Sequence, residues 1–225
     1  MSQAYCLTHV PYEGPGVFEW ELQSRDYSLT TYNVPERGLP ANPGDLLLVM
    51  GGPMSVNDED PWIEEEIDFI GKAAKSGAKI IGVCLGAQML AVGLGGKVTK
   101  GEKPEIGMTP ITLTERGMED PLFQKLAETR NVFEWHGEGI EAPTDAVVMA
   151  SSELYPVQAF RYGEHVIGLL FHTEIERTGI EKLCENCKED VIAAGLNSTN
   201  ILQKGKLHLP LLHQWAHELI EHMTA

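Results

Sequence analysis

A cysteine held between glycines at the end of an apolar run is one way to expose a nucleophile. Residues 80–90, Ile-Ile-Gly-Val-Cys-Leu-Gly-Ala-Gln-Met-Leu, have that form around Cys84. Lys79 to Val83 is short, β-branched and apolar, as expected of a central parallel strand, whereas Leu85 to Leu94 favours helix. The pattern predicts a tight strand-to-helix turn at Cys84. Such a turn aims a helix N-terminus at the sulfur, and that positive dipole end, with a nearby imidazole, is expected to favour thiolate over thiol. Gly82 and Gly86 leave room where the backbone bends sharply and a substrate must approach.

A nucleophile of this kind needs a base and a place for the charge it creates. Val166-Ile-Gly-Leu-Leu-Phe171 reads as another buried strand that delivers His172-Thr-Glu174 at its C-terminal end. Parallel sheets gather their chemistry at the carboxyl edge, so Cys84 and His172 are expected to meet there. Residues i and i+2 of an extended segment share a face, which lets Glu174 hold one ring nitrogen of His172 while the other faces the sulfur. The spacing supports a Cys-His-Glu triad. Leu46-Leu-Leu-Val-Met50 is a third buried strand, and it runs into Gly51-Gly52-Pro53, where backbone amides become exposed. Attack of a thiolate on an amide carbonyl builds charge on oxygen, and fixed N–H donors stabilise it. The amides of Gly52 and Leu85 are the candidates.

These three segments, in this order, resemble the class I (triad-type) glutamine amidotransferases. Gly82-Val-Cys84-Leu-Gly86-Ala-Gln88 is similar to the family's G-x-C-x-G-x-Q elbow, Gly51-Gly52-Pro53 to its oxyanion strand, and Phe171-His172-Thr-Glu174 to its F-H-P-E segment. The likeness extends over nearly all the chain to about residue 175, including Glu105-Ile-Gly107, Trp135-His136-Gly137 and Pro156-Val-Gln158-Ala-Phe160. It resembles the stand-alone members close to the amidotransferase domain of GMP synthase. The resemblance implies that Cys84 is the nucleophile, His172 the acid and base, Glu174 its orienter and Gln88 a contact for bound glutamine. It also implies that Glu134, Trp135 and His136 hold the substrate's α-amino and α-carboxylate ends. Thr173 departs from the family's proline and Leu170 from a common glutamine. Neither change removes a group the chemistry needs, although losing the proline frees the backbone at residue 173.

Composition bounds the partners. A 225-residue chain with 43% hydrophobic residues can bury a sizeable interior, and no two-domain split is demanded. A net charge of −16 without a basic stripe argues against nucleic acid. No basic-then-apolar leader and no membrane-length run is present, so a cytoplasmic protein is expected. The cysteines at 6, 84, 184 and 187 do not space like a secreted disulfide framework. Cys184-x-x-Cys187 lacks the setting of a zinc or redox site and reads as half-buried helix. No metal or cofactor is expected.

The elements that must position these groups alternate. A first strand is predicted over 4–10, a helix over 18–25 and a second strand over 28–34, followed by a Pro/Gly-rich connection. After the Leu46 strand a helix has Asp60 as N-cap, Pro61 at N1, Lys72 and Lys75 near its end and Gly77 as its stop. Ile63, Ile67, Ile70 and Ala74 share one face. Past Gly95-Gly96 shorter strands are expected at 108–114, 146–151 and 156–161, as an antiparallel or mixed extension of the sheet. Helices close the chain near 177–195 and 207–223. His213 and His217 on the last helix read as a solvated face, and Leu211, Trp215, Leu219 and Met223 as a packing stripe. The fold class is therefore α/β: one amidotransferase-like domain over 1–225, three-layer and flavodoxin-like, with a mostly parallel sheet, helices on both faces and a small antiparallel extension. Three functions remain open. One is hydrolysis of glutamine that supplies ammonia to a separate synthase subunit, the second hydrolysis of γ-glutamyl peptides or conjugates, and the third a catalytically silent binding module.

Overall fold

The computed structural model describes residues 1–129 and 131–225. Its main sheet has eight strands. Five are parallel: β1 (Ser2–Thr8), β2 (Tyr27–Asn33), β3 (Leu46–Val49), β4 (Ile80–Val83) and β10 (Val166–Leu169). Antiparallel β9 (Ala159–Tyr162), β8 (Ala146–Ser151) and β6 (Thr112–Leu113) extend it, giving the order β2-β1-β3-β4-β10-β9-β8-β6.

Every residue of β3, β4 and β10 is buried, so these strands are covered on both faces. Alternate side chains feed two separate cores. Leu46, Leu48, Ile81, Val83, Ile167 and Leu169 face α1 (Val17–Gln23), α6 (Arg177–Asn186) and α8 (Ser198–Thr224). Leu47, Val49, Ile80 and Val166 face α3 (Pro61–Lys75) and α4 (Leu85–Gly93). The period-two alternation of the strands thus writes the three-layer architecture. Asp60 and Pro61 begin α3 at the expected positions, but Asp60 makes no side-chain cap hydrogen bond. Ile63, Ile70 and Ala74 are buried, and Ile67 is half-buried.

The expected antiparallel extension is present in β8, β9 and β6, but the region after Gly96 contains more than that extension. It also forms a separate two-stranded ribbon that was not expected, in which β5 (Lys97–Pro110) pairs antiparallel with β7 (Asn131–Glu141). The register slips between Lys100 and Glu105, and Glu105 faces His136 across the ribbon. A bulged ribbon is expected to twist and bend. Here it bridges to the main sheet, with Phe133 paired to His172 and the His172 N–H donating to the Phe133 carbonyl at 2.8 Å.

The C-terminal helices also depart in detail. Cys187 divides the expected 177–195 helix into α6 and α7 (Lys188–Ala193); Cys184 is buried and Cys187 half-buried. The last helix begins nine residues earlier than predicted, carrying Pro210 inside it. Trp215, Leu219 and Met223 are buried as expected, whereas Leu211 is exposed. His213 and His217 are not simply solvated: His213 Nε2 lies 2.9 Å from the Ile175 carbonyl, and His217 Nδ1 lies 2.9 Å from Glu21 Oε2.

Candidate active site

Four parallel strands end at one rim, and each delivers polar groups to it. His9 follows β1, Gly51 and Gly52 follow β3, Cys84 follows β4 and His172 follows β10. Because β4 and β10 are paired in register from Ile80–Val166 to Val83–Leu169, residues just past their ends remain neighbours; the Cys84 N–H donates to the Leu169 carbonyl at 2.8 Å.

Cys84 has φ 51° and ψ −110°, a left-handed conformation unusual for a residue with a Cβ. The bend succeeds because its neighbours are glycines. A Cβ on Gly86 would strike the Val49 carbonyl, and one on Gly82 would strike the Gly86 backbone. The sulfur lies 3.8 Å from the Trp135 carbonyl oxygen. His172 Nδ1 donates to Glu174 Oε1 at 2.7 Å, so the i, i+2 geometry expected from the sequence is present. His172 Nε2 has no conventional hydrogen-bond partner, and the group that interacts with the ring opposite Glu174 is the Cys84 thiol. The structure therefore brings Cys84, His172 and Glu174 together in a buried cluster.

Their electrostatics differ from the simple expectation. Burial pushes the Cys84 thiol up and outweighs the opposing pull of His172 and of the Leu85 N–H. Burial alone would lower His172, but Glu174 and the contact with Cys84 hold it well above the ordinary imidazole value. The helix terminus and imidazole do not suffice to favour thiolate, because desolvating the sulfur costs more. The Gly52 N–H makes no hydrogen bond within the described residues, and the Leu85 N–H is turned towards the sulfur.

The cleft has a volume of about 470 Å³ and is lined by Cys84, Gly52, Gln88, Trp135 and His136 among the residues singled out in the sequence. Gln88 is held by its Nε2 donating to the Glu138 carbonyl at 3.3 Å. Glu134 does not line the cleft. It is fully buried, two residues before His136 on the same strand, behind the part of β7 that lines the cleft. There its carboxylate lies 2.9 Å from His136 Nε2, with Glu105 at 3.6 Å from the same nitrogen, while His136 Nδ1 lies 3.2 Å from the Glu138 carbonyl. Despite that proximity, His136 Nε2 and both Glu134 carboxylate oxygens have no hydrogen-bond partner among the described residues. Among the described residues, Glu105, Glu134 and His136 are also the side chains grouped closely enough to hold a cation.

Sequence reasoning missed Glu13, Glu138 and Asp190, three carboxylates lining the cleft. Asp190 arrives from α7, where its Oδ2 accepts from Trp135 Nε1 at 3.2 Å, and nothing local in the sequence marks it. Glu13 was findable, since it follows the first strand at the same rim. Burial raises its carboxyl, partly offset by the proximity of His172.

This fold and site define a class of protein. Residues 20–187 match the family model for class-I glutamine amidotransferases, and the chain belongs to that family. The glutamine amidotransferase-like protein YfeJ of Salmonella typhimurium is 30% identical over 200 residues, covering 85% of this chain and 84% of that one. A glutamine-hydrolysing GMP synthase subunit from Sulfurisphaera tokodaii is 33% identical over 152 residues, covering 64% and 78% respectively. The crystal structure of a glutamine amidotransferase from Thermotoga maritima superposes with a TM-score of 0.88 at 26% identity, covering 99% of this chain and 98% of that one. The likeness to stand-alone amidotransferases extends beyond the motifs to the whole fold.

Proposed function

We propose that this protein hydrolyses the γ-glutamyl amide of glutamine through a thioester on Cys84. The observation that carries the reading is the convergence of Cys84 with the His172–Glu174 pair, beside the unpaired Gly52 N–H and the Leu85 N–H. His172 Nε2 takes the thiol proton as sulfur attacks the amide carbon, and the carbonyl oxygen becomes an oxyanion held by Gly52 and Leu85. His172 then passes its proton to the departing nitrogen, releasing ammonia and leaving a γ-glutamyl thioester. Water, deprotonated by neutral His172, attacks that thioester and frees glutamate and the thiol. Glu174 keeps the reactive ring nitrogen facing the sulfur throughout.

Substrate ends are assigned to the cleft wall. Glu13, Glu138 and Asp190 suit an α-ammonium group, Gln88 and the Trp135–Gly137 backbone supply further polar contacts, and Trp135 supplies an apolar face. Ammonia passes to a separate synthase partner, a reading supported by the chain's similarity to a glutamine-hydrolysing component of GMP synthase. The whole chain works as one amidotransferase unit. Among the described residues no helix is long and apolar enough to cross a membrane, and four free cysteines suit the reducing cytoplasm.

A second reading, hydrolysis of larger γ-glutamyl conjugates, is favoured by the size of the cleft, which falls within the about 300–1,000 Å³ typical of pockets for drug-sized ligands. One experiment tests both: mass spectrometry of the acyl-enzyme after mixing with glutamine and a panel of γ-glutamyl peptides. Acylation of Cys84 with ammonia release from glutamine supports the first reading. Acylation by conjugates alone supports the second. Failure of every substrate, and of a glutamine-mimicking electrophile, to modify Cys84 overturns both and leaves a silent binding module.

A further inference from the structure

His9 is buried behind the Gly51–Gly52 turn, and both of its ring nitrogens face acceptors. Nδ1 lies 2.9 Å from the Gly51 carbonyl oxygen, while Nε2 lies 3.1 and 3.2 Å from the two oxygens of Glu66. Neither side chain of the pair has any exposed surface. A carbonyl oxygen and a carboxylate can only accept, so an imidazole that satisfies both must donate from both nitrogens. A neutral imidazole can donate from only one. This is the geometry of an imidazolium paired with Glu66, and the ring also stacks on Trp62 with ring centroids 5.6 Å apart. Burial alone would drive its proton off, but the Glu66 hydrogen bond and charge, the Gly51 carbonyl and the nearby Glu13 carboxylate together raise it above the ordinary imidazole value.

The carbonyl that His9 grips belongs to the same peptide unit as the Gly52 N–H. In a trans peptide these two groups point in opposite directions, and the whole unit turns as a plane. Gripping the oxygen on the His9 side therefore fixes the N–H on the other side. Gly52 lines the cleft with Cys84, and that N–H has no partner within the described residues. A peptide between two glycines has little intrinsic preference that would hold it there, since neither residue brings the Cβ that restricts rotation.

We propose that the buried His9–Glu66 pair is a positioning device that locks the Gly51–Gly52 peptide with its N–H presented to the oxyanion formed at Cys84. The imidazolium also places a desolvated positive charge behind that donor, where it strengthens the amide's pull on negative charge. The inference rests on the thioester reading above. It adds two residues, neither of which touches substrate.

The test compares His9→Leu, His9→Asn and Glu66→Gln in steady-state glutaminase assays with the full chain. Leucine cannot donate to Gly51, whereas the asparagine amide N–H can. His9→Leu is expected to lower kcat about a hundredfold, the scale of losing one oxyanion donor, with KM little changed. His9→Asn is expected to recover at least tenfold of that loss. Glu66→Gln keeps a hydrogen-bonding partner but removes the charge that retains the imidazolium. It is expected to move the alkaline limb of kcat to lower pH, and this variant also serves if His9→Leu does not fold. The charged groups facing His9 are Glu66 and Glu13; Glu13 also lines the cleft, so the effect of charge is read from Glu66→Gln.

Equal activity of wild type, His9→Leu and Glu66→Gln overturns the inference while leaving the thioester mechanism standing. Equal loss in the leucine and asparagine variants, with an unmoved pH limb in Glu66→Gln, does the same. A wild-type chain that neither turns over nor acylates overturns the mechanism, and this inference with it.

Discussion

Cys84 and His172 share a proton problem that sets the pH dependence of the site. Burial holds the thiol up, and Glu174 holds His172 up, so at acidic and neutral pH the pair retains one proton too many for attack. Activity is expected to rise with pH as that proton leaves. The acidic limb of kcat/KM should lie above 6.5, the ordinary imidazole value. Glu174→Gln should move that limb down, because the charge that raises His172 is gone, and should lower kcat by about a hundredfold or more. A pH–rate profile of both proteins checks the pair of expectations; an unmoved limb would detach Glu174 from the site. Cys84→Ala should abolish turnover and the acyl-enzyme peak while leaving thermal unfolding close to that of wild type.

At the scale of elements, the elbow depends on contacts between backbones. Helix α4 starts so close to β3 that only a residue without a Cβ fits at Gly86. Gly86→Ala should therefore lower stability by about 1–3 kcal/mol, seen as a lower urea midpoint with an unchanged slope. Helix α8 acts as a clamp on the opposite face. Trp215 is buried against Phe123 and Phe171, and its Nε1 donates to the Leu122 carbonyl at 3.1 Å. Trp215→Ala should cost about 3–5 kcal/mol. That loss should show in thermal unfolding before it shows in the KM of the remaining folded enzyme, since α8 does not line the cleft.

For the whole molecule, net charge acts against compactness. A net −16 on 225 residues makes the compact state repel itself at low ionic strength. Adding about 0.3 M sodium chloride should shorten the screening length and raise Tm by about 2–4 °C, the equivalent of about 1 kcal/mol for a chain of this size. Proton linkage acts in a defined direction. His9 and His172 both have folded-state values raised above 6.5. Their contribution to stability is complete below that value and is lost as pH rises through the raised values. Differential scanning calorimetry at constant ionic strength should find Tm falling on the alkaline side, and less steeply in Glu66→Gln.

The central strands were legible because burial on both faces demands unbroken apolar runs, and Leu46–Val49, Ile80–Val83 and Val166–Leu169 have them. Two chemical groups were legible for a related reason: each is bound to its neighbours in sequence, the elbow through Gly82 and Gly86, and the His172–Glu174 pair through the two-residue repeat of extended chain. The β5–β7 ribbon was not, because whether an antiparallel pair joins a sheet or stands apart depends on a slip of register that no local pattern encodes. Nor was the complete burial of Glu134, which depends on what packs over β7. His9 with Glu66, 57 residues apart, and Trp135 with Asp190 are pairings that exist only once α3 and α7 have packed. The sequence by itself determined the nucleophile's bend, the strand that carries its base and the layered α/β plan, all consequences of sterics and hydrophobic period acting over a few residues. Tertiary structure alone decided which carboxylates face the cleft, which proton the thiol keeps and what grips the Gly51–Gly52 peptide. Those outcomes depend on desolvation and on distances across the fold, and both are fixed only when distant segments share one interior.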